Sequence, residues 1–286
     1  MDERSQAPAG WLASSFLFGV PALIFWTLFH WLGPVLRSAG VSWLLIFHLL
    51  LIVPLACMLA APFVFLRVHH AFSPSWVKQL RLTKPRPSAW LWVASLSGFM
   101  YGGDLADAIS LLTAFAALVV EKSRSKSLYA AVVVAVLVKR NIHLLDAARS
   151  IRFFDSSGFY QEFFSRFGPS DFMGIPLEGA WWVLFYYAIV MFLFNIGGEE
   201  LWWRGYVLPR QELAFGPYAW VVHGFLWSAF HLFMQPTLSD TLRMSVTGLA
   251  LSFVAQRTRN TWPGIIGHSF GNLPFFLGLV RGVSRS

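Results

Sequence analysis

Three short polar clusters interrupt the apolar C-terminal half of the chain. The first is Glu199-Glu200-Leu201-Trp202-Trp203-Arg204, reached at the end of a nearly unbroken apolar run from Trp181 to Gly197. The second is His231, one helical turn after Trp227 in Trp227-Ser228-Ala229-Phe230-His231, and the third is His268-Ser269-Phe270-Gly271-Asn272. A carboxylate base for water, imidazoles that hold the water or donate, and an amide donor are the groups that hydrolysis of an amide bond needs.

An ionisable group at membrane depth costs at least ~2.5 kcal/mol on insertion scales, so it faces the bundle interior and marks function. Glu200 and Arg204 are four residues apart and pair on one helical face, whereas Glu199 projects about 100° away from Glu200. One carboxylate is expected to be structural and the other free to act, and the spacing admits either assignment. His268 and Asn272 share a face, and Gly267 and Gly271 let a neighbouring helix come close.

Glu199, His231 and His268 also admit a second reading, as the two-histidine, one-carboxylate set of a zinc hydrolase. There is no His-Glu-x-x-His helix, and Asn272 is a poor zinc ligand but a good oxyanion donor. A site without a cofactor is therefore expected, with zinc as the alternative. His30, His48 and His223 read as hydrogen-bonded packing residues, and Ser228 and Ser269 lie outside any Gly-x-Ser-x-Gly setting, which leaves them a packing role. His69 and His70 beside Arg67 add to a basic loop, and Asp104 and Asp107 beside Gly102 and Gly103 mark a helix break or loop.

The elements that must position these residues are membrane helices. Of 286 residues, 56% are hydrophobic and only 13% charged, against about a quarter in soluble domains. Mean hydropathy is +0.57. The net charge of +8 comes from short basic loops between apolar runs, which positive-inside topology explains without nucleic acid. The lone Cys57 excludes an intrachain disulfide and a cysteine metal site. Runs at about 11–33 and 43–66 are long enough to span, the first being too long for a signal-peptide core, and Pro21 and Pro54 should bend them. The loop 67–88, with five Lys and Arg residues, is expected in the cytoplasm, and so is the N-terminus. Residues 89–120 form one broken helix or two short ones, and 128–138 a short span or buried helix. The polar, aromatic stretch 139–178 reads as an interfacial amphipathic segment. Four apolar segments follow, at about 180–208, 217–235, 241–256 and 262–280. The expected fold is an all-α polytopic membrane helix bundle of seven or eight transmembrane helices. It divides into an N-terminal membrane region with basic loops and an amphipathic segment (1–178) and a membrane core that carries the three polar clusters (179–286), the part expected to be catalytic.

In their order, Glu199-Glu200-x-x-x-Arg204, aromatic-x-x-x-His231 and His268-x-x-x-Asn272 resemble the three motifs of the CAAX-processing and bacteriocin-processing (CPBP) family of intramembrane proteases, over roughly residues 180–280. Trp227 stands where the family usually has Phe, a change expected to preserve packing. The resemblance implies a glutamate-activated water mechanism. Glu199 would be the base, His231 would help hold the water, His268 and Asn272 would be oxyanion donors, and Glu200 and Arg204 would orient Glu199. It also implies an endopeptidase acting on a membrane-tethered or membrane-adjacent protein or peptide. The expected setting is a bacterial inner or plasma membrane, with lipid as the other partner. A zinc-dependent intramembrane metalloprotease and a non-catalytic scaffold or immunity protein are the alternatives.

Overall fold

A computed structural model describes residues 7–68, 75–121, 132–134, 136–138, 149–154 and 158–285. Two apolar helices open the chain, α1 (Trp11–Ser38) and α2 (Trp43–Val68). The short α3 (Trp76–Gln79) lies in the basic loop, followed by α4 (Pro87–Tyr101) and α5 (Asp104–Val120). Then come α6 (Phe159–Ser165) and a hairpin of β1 (Asp171–Phe172) and β2 (Ile175–Pro176). The C-terminal part consists of α7 (residues 182–215), α8 (Ala219–Phe230), α9 (Leu238–Thr258) and α10 (Trp262–Val283).

Among the described residues, three helical runs are long and apolar enough to cross a membrane: Trp11–Ser38, Trp43–Val68 and Trp182–Met234. The last turns at Gly216, whose φ of +57° ends α7 and lets α8 fold back. Seven or eight spans were expected, and the other helices fall short by this measure. α4 and α5 have 15 and 17 residues, and α9 carries Asp240, Arg243 and Arg257 within its length. Much of the expected span at 128–138, the basic patch at 122–126 and the histidines 69 and 70 lie outside the described residues. The bundle exterior is nonetheless apolar, with Leu12, Leu105 and Phe185 each about three-quarters exposed, as a surface facing lipid requires.

Residues 89–120 form two helices, not one. Gly102 and Gly103 adopt φ of +78° and +95°, which reverse the chain, and Asp104 and Asp107 occupy the first turn of α5. Of the expected amphipathic segment at 139–178, residues 139–148 and 155–157 lie outside the described residues, and the rest includes a seven-residue helix and the hairpin. Met173 and Gly174 have φ of +51° and +84°, the geometry of a two-residue turn between Phe172 and Ile175. Phe172 is fully buried against Phe47, Phe167 and Tyr187, so this segment plugs one end of the bundle.

Wide, π-type turns occur at Leu28–Leu32, His48–Ile52 and Leu201–Val207, each ending two residues before a proline: Pro34, Pro54 and Pro209. A proline offers no N–H and its ring crowds the carbonyl four residues back, so the preceding turn opens instead of breaking. Pro54 thus perturbs α2 as expected, and Pro34 does the same in α1. A fourth wide stretch, Val190–Gly197, leads directly into Gly198-Glu199-Glu200. There Gly198 lies against the α2 backbone at Leu55 and Leu59, an approach that a Cβ would block.

The charged ends of several elements meet at one face. Arg81 grips Glu212 with two bonds of 2.7 Å, Ala9 N–H donates to Arg210 O, and Thr261 N–H donates to Arg81 O. The N-terminus, the basic loop, the end of α7 and the start of α10 therefore share a side.

Candidate active site

Glu199 and Glu200 lie between the two wide stretches of α7, and the 100° step between neighbours sends them in different directions. Glu200 is wholly buried. Its Oε1 accepts from Arg204 Nη1 at 3.1 Å and from His268 Nδ1 at 3.1 Å. A Cβ at position 264 would collide with Glu200 Oε2, so Gly264 of α10 is what makes room for this carboxylate. Breaking a buried pair by removing one partner typically costs ~3–5 kcal/mol, which makes Glu200 and Arg204 a clamp within α7.

Glu199 instead lines a cavity of about 550 Å³, a volume in the range of ligand pockets. Its Oε2 accepts from Trp227 Nε1 at 3.0 Å and lies 3.6 Å from His231 Nε2, and its Oε1 receives Asn195 Nδ2 at 3.4 Å. His231 Nδ1 donates to Trp227 O at 2.8 Å. A neutral imidazole bonded in that way presents an unprotonated Nε2, so two acceptors face one another across the cavity wall. His268, Asn272 and Gly271 line the same cavity from α10, while Phe25, Phe47, Leu55 and Met100 contribute apolar walls from α1, α2 and α4. Glu200 and Arg204 are not among its lining residues.

Trp227 sits at the hub. Its indole binds Glu199, its ring carries the Arg204 guanidinium at 4.7 Å, and it lies 4.2 Å from the His231 ring and 6.3 Å from the His268 ring. All seven predicted residues are therefore brought together. Trp227 does more than preserve packing, because its N–H supplies a donor to Glu199 that a Phe lacks. Asn272 Nδ2 donates to His268 O at 3.1 Å, which orients the amide along the helix.

Asn195 escaped the reading of the sequence. Its signal was available, since it is the one polar residue in the run before Gly197 and lies one turn before Glu199. The bystander histidines are hydrogen-bonded as expected: His30 to Phe233 O, His48 to Leu44 O and Tyr186, and His223 to Gln211. Gln211 continues to Ser14, and Ser14 to Ala9 O, so this buried link ties α7 and α8 to the N-terminus. Ser228 and Ser269 donate to helix carbonyls. Among the described residues, no three His, Cys, Asp or Glu side chains are grouped as metal ligands.

Comparison with known families gives an independent result on the same segment. Residues 180–274 match the family model described as Type II CAAX prenyl endopeptidase Rce1-like. This region is Rce1-like. The match supports assignment of this region to the CAAX-protease (CPBP) family. It spans Glu199, Glu200, Arg204, Trp227, His231, His268 and Asn272 and ends before the last turns of α10. No curated protein and no solved structure matches the chain.

Proposed function

We propose that the protein is an intramembrane endopeptidase in which Glu199 activates water for attack on a peptide bond of a membrane-tethered or membrane-adjacent substrate. The observation that carries this reading is the 3.6 Å approach of Glu199 Oε2 and His231 Nε2 on the wall of the cavity, two acceptors when His231 is neutral. A water there donates one hydrogen bond to each. Its oxygen attacks the carbonyl carbon as Glu199 takes the proton, and Glu199 then returns that proton to the leaving nitrogen as the C–N bond breaks. His268, when it carries both protons, donates Nδ1–H to Glu200 and Nε2–H to the oxyanion, with the Asn272 amide beside it. Glu200 is the anion that balances this imidazolium, and Arg204 holds it in place. No metal or cofactor takes part.

The topology that fits this function is a polytopic bundle in which α1, α2 and α7 to α10 cross the membrane, with α4 and α5 rising only about 22–26 Å. The catalytic groups come from residues 179–286, and region 1–178 supplies apolar walls. The shared basic face and the N-terminus lie in the cytoplasm by the positive-inside rule, in a bacterial inner or plasma membrane. The test is cleavage by the full chain in liposomes of one peptide presented with and without a lipid anchor. Faster cleavage of the anchored form supports the reading, and equal turnover of the free peptide refutes the membrane-tethered substrate.

A further inference from the structure

Besides the Glu199 cavity, two other cavities adjoin one another. One, of about 340 Å³, is almost wholly apolar and is walled by Trp92, Leu96 and Phe99 of α4 against α9. The other, of about 530 Å³, opens at the charged face and is lined by Glu212, Arg257 and Arg259. They share Trp220 and Phe253, whose rings meet edge to face at 5.4 Å. Neither shares a lining residue with the catalytic cavity.

The α9 side of the apolar groove is a single stripe: Val246, Leu249, Ala250, Phe253 and Val254, at helical i, i+3, i+4 spacing, with Arg257 one turn further on. From Val246 to Arg257 this stripe rises about 16 Å. Half of a hydrocarbon core of about 30 Å is about 15 Å, so the stripe matches the acyl depth of one leaflet. The charges at its end are unevenly committed. Glu212 is held by both arms of Arg81, and Arg257 uses Nε and Nη2 on Glu121. The Arg259 guanidinium has no partner among the described residues, and its backbone is left-handed (φ +49°) at the C-cap of α9.

We infer that these joined cavities bind one anionic phospholipid, with an acyl chain in the groove along α9 and the headgroup phosphate at Arg259 and Arg257. Trp220 marks the boundary between tail and head, where indole rings favour the interface. Basic pockets between membrane helices on the cytoplasmic side recognise anionic headgroups in this way. The inference is independent of the peptidase reading.

The test is native mass spectrometry of the full chain in detergent, titrated with phosphatidylglycerol or phosphatidylcholine, with inorganic phosphate as competitor. Wild type should retain one phosphatidylglycerol in preference to phosphatidylcholine, and inorganic phosphate should not displace it. Arg259→Asn, which suits the left-handed backbone, should weaken binding about fivefold, the loss of one cationic contact. Arg259→Lys should restore it, and Ala250→Trp, which fills the groove, should abolish it. Equal retention of the two lipids, displacement by phosphate, or undiminished binding in both Arg259→Asn and Ala250→Trp would overturn the inference.

Discussion

His268 Nδ1 lies 3.1 Å from Glu200 Oε1, so the imidazole of α10 is oriented by the second glutamate of α7 and turns its Nε2 toward the cavity lined by the first. In the proposed mechanism, this link makes Glu200 a positioning group for the oxyanion side and leaves Glu199 with the water. Losing one oxyanion donor typically costs about 10²–10³ in kcat. His268→Ala should therefore lower kcat by that order with KM little changed. A rise in KM at constant kcat would place His268 in substrate binding instead.

Trp227→Phe removes the indole donor to Glu199 and keeps an aromatic face under Arg204. A hydrogen bond to a charged group contributes about 1.5–3 kcal/mol. The variant should lose stability of that order in thermal or denaturant unfolding and still cleave. An unchanged unfolding midpoint would mean that the bond contributes nothing.

Gly264→Ala places a methyl group against Glu200 Oε2. Overpacking of this kind costs about 1–3 kcal/mol, and it should push the carboxylate off Arg204 and His268, lowering both stability and turnover. Wild-type behaviour of the variant would show that Glu200 has room to move.

Treatment with a strong chelator should leave cleavage unchanged. Chelator-sensitive activity restored by zinc would transfer Glu199, His231 and His268 to a metal site.

The sequence was most informative where chemistry and helical period coincide. The positions of α1, α2 and the four C-terminal helices follow from apolar runs, though α1 runs on to Ser38 and α7 to Phe215, and the i, i+4 spacing foretold the Glu200–Arg204 pair. The choice between Glu199 and Glu200 was not legible, because it depends on α8 and α10 approaching from outside the motif. The Trp227 indole was missed for the same reason, since a packing residue becomes a donor only when its neighbour is known, whereas the i, i+4 spacing of Asn195 and Glu199 was already in the sequence. The hairpin at 171–176 was hidden in a stretch whose aromatics suggested an interface. Gly102 and Gly103 announced a break, but only their positive φ values showed that the chain reverses there.

The most direct test of the central claim compares Glu199→Gln with Glu200→Gln in liposomes, measuring cleavage of an anchored peptide and thermal unfolding on the same preparations. Glu199→Gln should lose at least about a hundredfold in rate, the contribution of a general base, while its unfolding midpoint stays close to wild type. Glu200→Gln should be destabilised by about 3–5 kcal/mol, as expected for a broken buried pair. Cleavage that survives Glu199→Gln at the wild-type rate would contradict the assignment of Glu199 as the base.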